Sequence, residues 1–496
     1  MKSRALLLTM ALGVSGCAVG PSYAPKSAAD LGVPEAWSVQ ASPTGEDLTR
    51  WWSRFDDPVL VQLVEQAAAG NLDLAQAVAR LRQAREALVI SRASLLPSLS
   101  GSGSVNRTET LRGGGTTVAL SNGTVTTTGS GGGSTSFSLG LDASYQADLF
   151  GGVRRSVEAS KAQYEASGYD YATTLLSVES EVARNYVLAR SYQAQLANAQ
   201  TSLKIQDENL QIARWRVQAG LVSSLDAEQA RASRAETAAA IPQIEQQYNA
   251  AVSRIGVLTG QAPGALKPLL EKVEPIPAGP DTIGVGIPAN VLRQRPDVRA
   301  AERTLAAATA QIGVAKAELF PALAITGSLN TNAASFGNLF DTITGSLFAG
   351  LSQAIFNGGK LNAQVRSYRA AADAALAAYR QSVLTALEDI ENAVVALDAA
   401  QRREQEYAVA YDAANNSAIL ARSQYRSGLT DFTTLNTQEA SLVSARNGLV
   451  QARADKASAL IALYVALGGG WDSEAPPTAL PATPSGSPAA TNAEQG

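Results

Sequence analysis

The residues able to do covalent or acid–base chemistry are few. Cys17 is the one thiol in 496 residues, so it has no intramolecular disulfide partner. There is no histidine, which removes the usual general base and the commonest metal ligand. With Cys17 set aside, thiolate metal sites and cysteine nucleophiles are gone too. No carboxylate motif for catalysis stands out. The glycine-rich stretches at 113–115 and 131–133 lack the lysine and the strand-to-helix setting of a phosphate loop. The sequence reads as a protein with no catalytic residues, no metal site and no diffusible cofactor.

What remains is the setting of Cys17. Met1-Lys2-Ser3-Arg4 is basic, Ala5 to Val14 is apolar but too short to span a bilayer as a helix, and small residues precede the thiol. This order is that of a secretory signal over 1–16. Val14-Ser15-Gly16-Cys17 resembles a bacterial lipobox, which implies S-diacylglycerol and N-acyl chains on Cys17. Several chains anchor stably, at roughly 0.8 kcal/mol per buried methylene. Ala18 is compatible with transfer to an outer membrane, where an aspartate would favour inner-membrane retention in enteric bacteria. Losing residues 1–16 removes Lys2 and Arg4, so the formal charge of −4 becomes −6. That balance is not the footprint of a nucleic-acid binder.

The elements behind this anchor are duplicated. Val89-Ile90-Ser91-Arg92-Ala93-Ser94-Leu95-Leu96-Pro97 matches Gly313-Val314-Ala315-Lys316-Ala317-Glu318-Leu319-Phe320-Pro321, with Asp73 and Asp297 on the same offset. Asp148-Leu149-Phe150-Gly151-Gly152 pairs with Ile355-Phe356-Asn357-Gly358-Gly359, Gly220-Leu221 with Gly428-Leu429, and Leu258-Thr259-Gly260 with Leu467-Gly468-Gly469. Each half runs helix, proline, two extended segments, glycine turn, very long helix, glycine turn, helix. The expected organisation is a signal peptide 1–16, a lipid-anchored segment 17–70, a first repeat 71–294 and a second repeat 295–471. A disordered Pro/Ala/Ser/Thr-rich tail follows at 472–496.

From Phe137 to Leu149, apolar residues alternate with polar ones, the period of a two-faced strand. Leu99 to Val105, Leu323 to Leu329 and Leu347 to Ile355 are weaker versions, giving hairpins within 97–150 and 321–356. The Gly/Ser/Thr-rich stretch around Arg112 to Ser136 reads as a mobile solvent loop. Each strand can supply about 9–11 residues, the length of a tilted transmembrane strand. Four strands cannot close a barrel, and an open edge cannot sit in lipid. Two chains give eight strands, whose interior side chains largely fill, and three give twelve, so a conduit favours a trimer.

Val153 to Val217 and Leu361 to Arg426 contain no proline, and glycine only at Gly168. Each predicts a helix of roughly 100 Å at 1.5 Å per residue. That length suits a tube crossing the periplasm. Leu175, Val178, Val182, Tyr186 and Ala189 mark a narrow coiled-coil-like seam on the first. Pro242 predicts a kink in the helix that returns, and residues 261–294 read as an equatorial connector.

Further motifs carry a family resemblance. They are Cys17-Ala18-Val19-Gly20-Pro21-Ser22-Tyr23, Trp51-Trp52 with Phe55-Asp56-Asp57-Pro58, and Asn71-Leu72-Asp73-Leu74. Arg295-Pro296-Asp297-Val298-Arg299-Ala300-Ala301-Glu302, Ile312-Gly313 and Phe320-Pro321 complete the set. Over about residues 17–471 the chain resembles the TolC-like outer membrane factors, specifically the NodT-type lipoproteins. The resemblance implies a mainly α fold with transmembrane β: a homotrimer whose twelve-stranded outer-membrane barrel continues into a twelve-helix periplasmic barrel. It implies partnership with a periplasmic adaptor and an inner-membrane pump, commonly of the resistance-nodulation-division type, in passive efflux of small molecules.

The resemblance also implies a gate at the helix tips. Asp226, six residues after Gly220, and Tyr425, three before Gly428, match gate residues of relatives. Gln424 and Thr437 replace a family arginine and aspartate, and Arg422, Arg426 and Asp431 stand near enough to substitute. Asp226 repeated about a threefold axis would form a cation-attracting ring. The competing readings are a protein-secretion duct and a structural lipoprotein rod without a pore. An envelope hydrolase is disfavoured by the missing histidine.

Overall fold

The structure is a computed structural model that describes residues 18–39, 48–109, 116–121, 124–129, 134–475 and 478. Cys17, the signal segment 1–16 and most of the tail 472–496 lie outside the described residues. The chain is mostly helical with some sheet, and it forms two compact units. The first draws on Met1–Ala24, Arg85–Gln163 and Leu305–Ala375; the second on Pro25–Ala84, Tyr164–Thr304 and Leu376–Gly496. No described helix is long and apolar enough to cross a membrane.

The first unit contains a four-stranded antiparallel sheet of β1 (Ser98–Thr108), β4 (Ser134–Ala147), β5 (Ala322–Ala333) and β6 (Ile343–Ser352), in that order. Cross-strand partners share a face, so the register sorts the side chains. One face carries Leu99, Val105, Phe137, Leu139, Leu141, Tyr145, Leu323, Ile325, Leu329, Ile343, Leu347 and Leu351, with small Gly and Ala between them. The other carries Ser98, Ser100, Ser102, Ser104, Ser138, Asp142, Ser144, Gln146, Ser328, Asn330 and Ser346. Serines pair across it, Ser104 with Ser138 and Ser328 with Ser346, each at 2.7 Å between hydroxyl oxygens. Leu99, Leu347 and Leu351 are among the apolar side chains left exposed, a patch that calls for a non-aqueous partner. Phe348 alone sets a large ring on the polar face, over Gly350, where a Cβ would come within 2.6 Å of it.

The stretch around Arg112 to Ser136, expected as a solvent loop, contains a second hairpin. β2 (Thr116–Ser121) pairs with β3 (Thr124–Gly129). Eight of these twelve residues are threonine or valine, and β-branched side chains favour extended backbone even in a polar stretch.

Helices come in matched pairs. After α1 (Pro58–Gly70), α2 (Leu72–Ala93) corresponds to α7 (Pro296–Ala317), both of 22 residues. α3 (Gly152–Gln218) and α8 (Lys360–Arg426) have 67 residues each; α4 (Ser224–Leu258) and α9 (Phe432–Ala466) have 35 each. Short α5 (Lys267–Leu270) and α6 (Val291–Gln294) lie in the connector. α4 continues as one helix through Pro242. Of the predicted seam on α3, Val178, Val182, Tyr186 and Ala189 are buried, while Leu176 rather than Leu175 fills the fifth place.

In the second unit the duplication extends to individual hydrogen bonds. Asn71 caps α2 by accepting from the backbone of Asp73 and Leu74, and its amide donates to the Leu258 carbonyl at 2.8 Å. At the matching place in the second repeat, Arg295 donates to the Ala466 carbonyl at 3.2 Å and holds Asp297 and Asp389. Gly260 sits against the Gly70 carbonyl and Gly468 against that of Gln294, where a Cβ would approach to 2.2 and 2.8 Å. These contacts pair Gly260 with Gly468, one residue away from the alignment read in the sequence. Asp57 caps α1 through Val59 and Leu60 and accepts from the Tyr186 hydroxyl at 2.6 Å. Trp51, fully buried, stacks on Tyr464 at 5.5 Å. Arg190 and Gln193 of α3 reach the carbonyls of Lys272 and Leu270 and so fasten the connector.

The face asymmetry of the sheet sets one expected outcome. Leu141→Arg, on the apolar face, should cost about 2–4 kcal/mol of insertion, read as the folded fraction in phospholipid vesicles. Ser138→Arg, on the polar face, should cost little; equal losses would reverse the assignment of faces.

Candidate functional site

Two places concentrate unusual geometry: the helix tips of the second unit and the N-terminal segment of the first.

At the tips, α3 and α8 end alike. Gly220 (φ 70°) and Gly428 (φ 72°) take the left-handed conformation. The amides of Leu221 and Leu429 close back on the carbonyls of Arg216 and Gln424 at 2.9 and 2.8 Å. This is the double-bonded glycine stop of a helix, and it turns the chain into α4 and α9 within a few residues. The turns leave large apolar side chains in water: Leu221 is 70 % exposed and Leu429 79 %, with Trp215 and Leu225 at 60 %.

The residues singled out in the sequence have distinct places. Tyr425 is buried, packed with Leu210, Ala213, Ala230, Ala421, Phe432 and Leu435. The Arg216 guanidinium lies 4.6 Å over its ring and donates to its carbonyl at 3.2 Å. Burial is the main cause pushing the Tyr425 hydroxyl up; Arg216 opposes the rise and the Asp226 carboxylate adds to it. Asp226 itself is half-buried in the first turn of α4. Arg426 approaches Glu208 at 3.7 Å, both well exposed, a pair worth little in water. Asp431 is the N-cap of α9, accepting from the Thr434 amide at 2.8 Å, and this bond holds its carboxyl below the usual range.

The strongest ion pair here was only half visible in the sequence. Arg422 grips Glu439 through two bonds, one of 2.8 Å, and the Glu439 side chain is 3 % exposed. Arg422 is a candidate on sequence, but its partner lies on α9 and emerges only when α8 and α9 pair. Asp226, Arg216 and Tyr425 are brought together; Arg426 and Asp431 are each engaged elsewhere.

In the first unit the residues after Cys17 are pinned one by one. The Val19 amide donates to the Phe150 carbonyl at 3.1 Å. Gly151 lies under Ala18 and Gly20 lies on Gly313, both so closely that a Cβ would come within 2.6 Å of the neighbouring Cα. Arg155, itself buried, donates to the Gly20 carbonyl at 3.4 Å and the Ser22 hydroxyl at 3.1 Å. Gly20 and Gly151 are thus required by close backbone approach, and Gly313 leaves room for the Arg155 side chain. They seat the chain beside the end of β4, one residue from Cys17.

With this geometry in view, the comparisons with known proteins are specific. The family described as outer membrane efflux protein matches residues 63–261 and 287–469. Nodulation protein T of Rhizobium leguminosarum bv. trifolii is 32 % identical over 470 residues, covering 92 % of this chain and 96 % of the relative. The pyoverdine export outer membrane protein OpmQ of Pseudomonas aeruginosa is likewise 32 % identical, covering 93 % and 97 %. Among solved structures, the outer-membrane channel OprN superposes with a TM-score of 0.80 at 34 % identity, covering 92 % of this chain and all of that one. The open state of the MtrE outer membrane channel of Neisseria gonorrhoeae gives 0.76 at 27 % identity, covering 92 % and 99 %.

The cap geometry of Asp431 separates capping from charge. A carboxylate with a lowered pKa contributes its stabilisation above the ordinary value of 3.8 and loses it as pH falls through the lowered one, so the first turn of α9 should hold at neutral pH. Asp431→Asn keeps the acceptor and should leave amide exchange at Phe432 to Leu435 unchanged, whereas Asp431→Ala should speed it. Equal acceleration in both variants would assign the role to the charge.

Proposed function

The chain belongs to the outer membrane efflux protein family and is an outer-membrane efflux channel, and we propose that three copies build the complete conduit. The observation that carries the trimer is the four-stranded sheet. It is apolar on one face and polar on the other, and among the described residues the outer edges of β1 and β6 are unpaired. Exposed backbone donors and acceptors cost several kcal/mol each in hydrocarbon. Strands alternate in direction across β1-β4-β5-β6, so β6 of one copy and β1 of the next meet antiparallel. Closure therefore needs no irregular pairing, and three copies give twelve strands around a polar lumen wide enough to conduct. The paired α2/α7, α3/α8 and α4/α9 helices of three protomers would form a helical tube.

In this reading Cys17 carries the acyl chains that hold the protein to the membrane, and the seated residues 18–22 fix where those chains enter. The channel conducts passively, with energy supplied by an inner-membrane pump of the resistance-nodulation-division type. A periplasmic adaptor joins the two. The exposed Leu221 and Leu429 at the glycine turns offer it a hydrophobic docking surface. Its binding shifts the tips from closed to open by preferring the open state. Cargo is of the small-molecule class; the relative OpmQ is a pyoverdine export protein.

Asp226 is the proposed gate residue. It stands in the first turn of α4 and acts on Tyr425, and three copies converging at an axis would repel one another or hold a cation. Two outcomes are expected. Asp226→Ala should raise single-channel conductance in planar bilayers and sensitise cells to vancomycin; unchanged behaviour argues against a gate there. Leu221→Asp with Leu429→Asp should reduce capture of the cognate adaptor at least tenfold while leaving channel yield in the outer membrane intact, and undiminished capture would move the docking surface elsewhere.

A further inference from the structure

A second feature of the N-terminal seat has no part in conduction. Beside Val19 and Gly20 the first unit contains a groove of about 580 Å³. Its rim holds three cations, Lys316 at the end of α7 and Arg366 and Arg369 near the start of α8, with the Asn362 amide among them; Val365 and Leu319 are its apolar lining. No acid lines it. The three cationic side chains have no hydrogen-bond or ion-pair partner among the described residues.

The depth of this groove is fixed twice. Val19 is two residues from Cys17, at most about 7 Å of extended chain, and acyl chains on Cys17 must enter the leaflet within that reach. Independently, Phe320 lies at the start of β5, and Ile355 and Phe356, 99 % and 91 % exposed, just past the end of β6. Exposed aromatic and apolar side chains at strand ends mark the interface between hydrocarbon and headgroups.

We propose that this groove binds the phosphate-bearing headgroup of an anionic glycerophospholipid from the same leaflet that receives the Cys17 chains. Arginine forks suit phosphate oxygens, each basic residue near an anionic membrane surface adds attraction, and the Val365–Leu319 lining accommodates the glycerol backbone. A resident lipid would then extend the hold of the covalent anchor on the junction of strands and helices. The inference rests on the lipoprotein reading for its depth, and the test keeps the two apart.

The test uses the full-length mature protein, extracted in detergent and reconstituted into nanodiscs of phosphatidylcholine with one-tenth phosphatidylglycerol. Lipid retained after re-extraction is counted by native mass spectrometry, and the intact mass reports acylation of Cys17 in the same spectra. The wild type should retain phosphatidylglycerol over phosphatidylcholine, and the triple variant Lys316→Gln, Arg366→Gln, Arg369→Gln should lose at least tenfold of that preference. A control with Arg50, Arg231 and Arg402 changed to Gln, equal in charge but outside the groove, should keep it. The conservative set Arg366→Lys with Arg369→Lys should keep part of it, which separates lost recognition from lost folding. Equal retention by the wild type and the triple variant, with acylation intact, overturns the groove and leaves the anchor standing. Retention without acyl mass supports the groove and removes the anchor. Displacement of phosphatidylglycerol by millimolar inorganic phosphate assigns the site to free phosphate and overturns the lipid.

Discussion

An unpaired strand edge has nowhere to go in hydrocarbon, and that constraint organises the molecule. β4 and β5 each have a neighbouring strand on both sides, whereas β1 and β6 each have one. In water such edges are solvated; in lipid each open group costs several kcal/mol. The apolar face suits lipid rather than water, and the proposed pairing of these edges by other copies answers that demand. Side-chain size follows from the same demand. Glycines such as Gly101, Gly103, Gly327 and Gly345 alternate with leucines across the register, and they let large side chains on adjacent strands lie flat on the apolar face.

The duplicated helices answer a different constraint, which is to repeat one local solution with different residues. Asn71 and Arg295 both bridge the start of a 22-residue helix to the last carbonyls of a 35-residue helix. One does so with a short neutral amide and the other with a long charged fork. The arginine brings carboxylates with it, Asp297 and Asp389, because a guanidinium largely withdrawn from water needs compensation. The asparagine needs none and uses its spare oxygen to cap its own helix. Sequence identity between the halves is low at such points because the contact, not the residue, is what the fold repeats.

Much of this was legible in the residues. Alternation from Phe137 to Leu149 located β4, and the absence of proline located both 67-residue helices to within a residue or two. Gly220 and Gly428 marked the turns because few other residues accept a positive φ at a helix stop. The hidden parts share a physical cause. The β2–β3 segments are short and rich in threonine, so no clear period revealed them. The capping role of Asp431 was hidden because an acid near a turn reads the same whether it caps a helix or meets an arginine. Glu439 was invisible because its partner is on another helix, and only helix pairing buries it. The seating of Ala18 and Gly20 on Gly151 and Gly313 depends on backbone contacts between segments 130 to 290 residues apart, which no local pattern encodes.

The energetics of the tips bear on the proposed gate. A closed end that must open on contact cannot be held by its strongest bonds. Arg422–Glu439 is the tight pair, with a nearly dry carboxylate, but it joins α8 to α9 within one protomer and fastens the two tip helices to each other. Arg426–Glu208 is long and wet, so its loss costs little. The Tyr425 hydroxyl, buried with no hydrogen-bond partner among the described residues, carries a penalty of about 1–3 kcal/mol in this arrangement. These contacts lie within one chain and make its tip internally firm. In the proposed trimer, contacts between protomers would supply the rest of the barrier, and Asp226 is a half-buried charge at the tip with no salt bridge among the described residues. A gate built this way moves protomer tips as firm pieces and spends adaptor binding on few contacts.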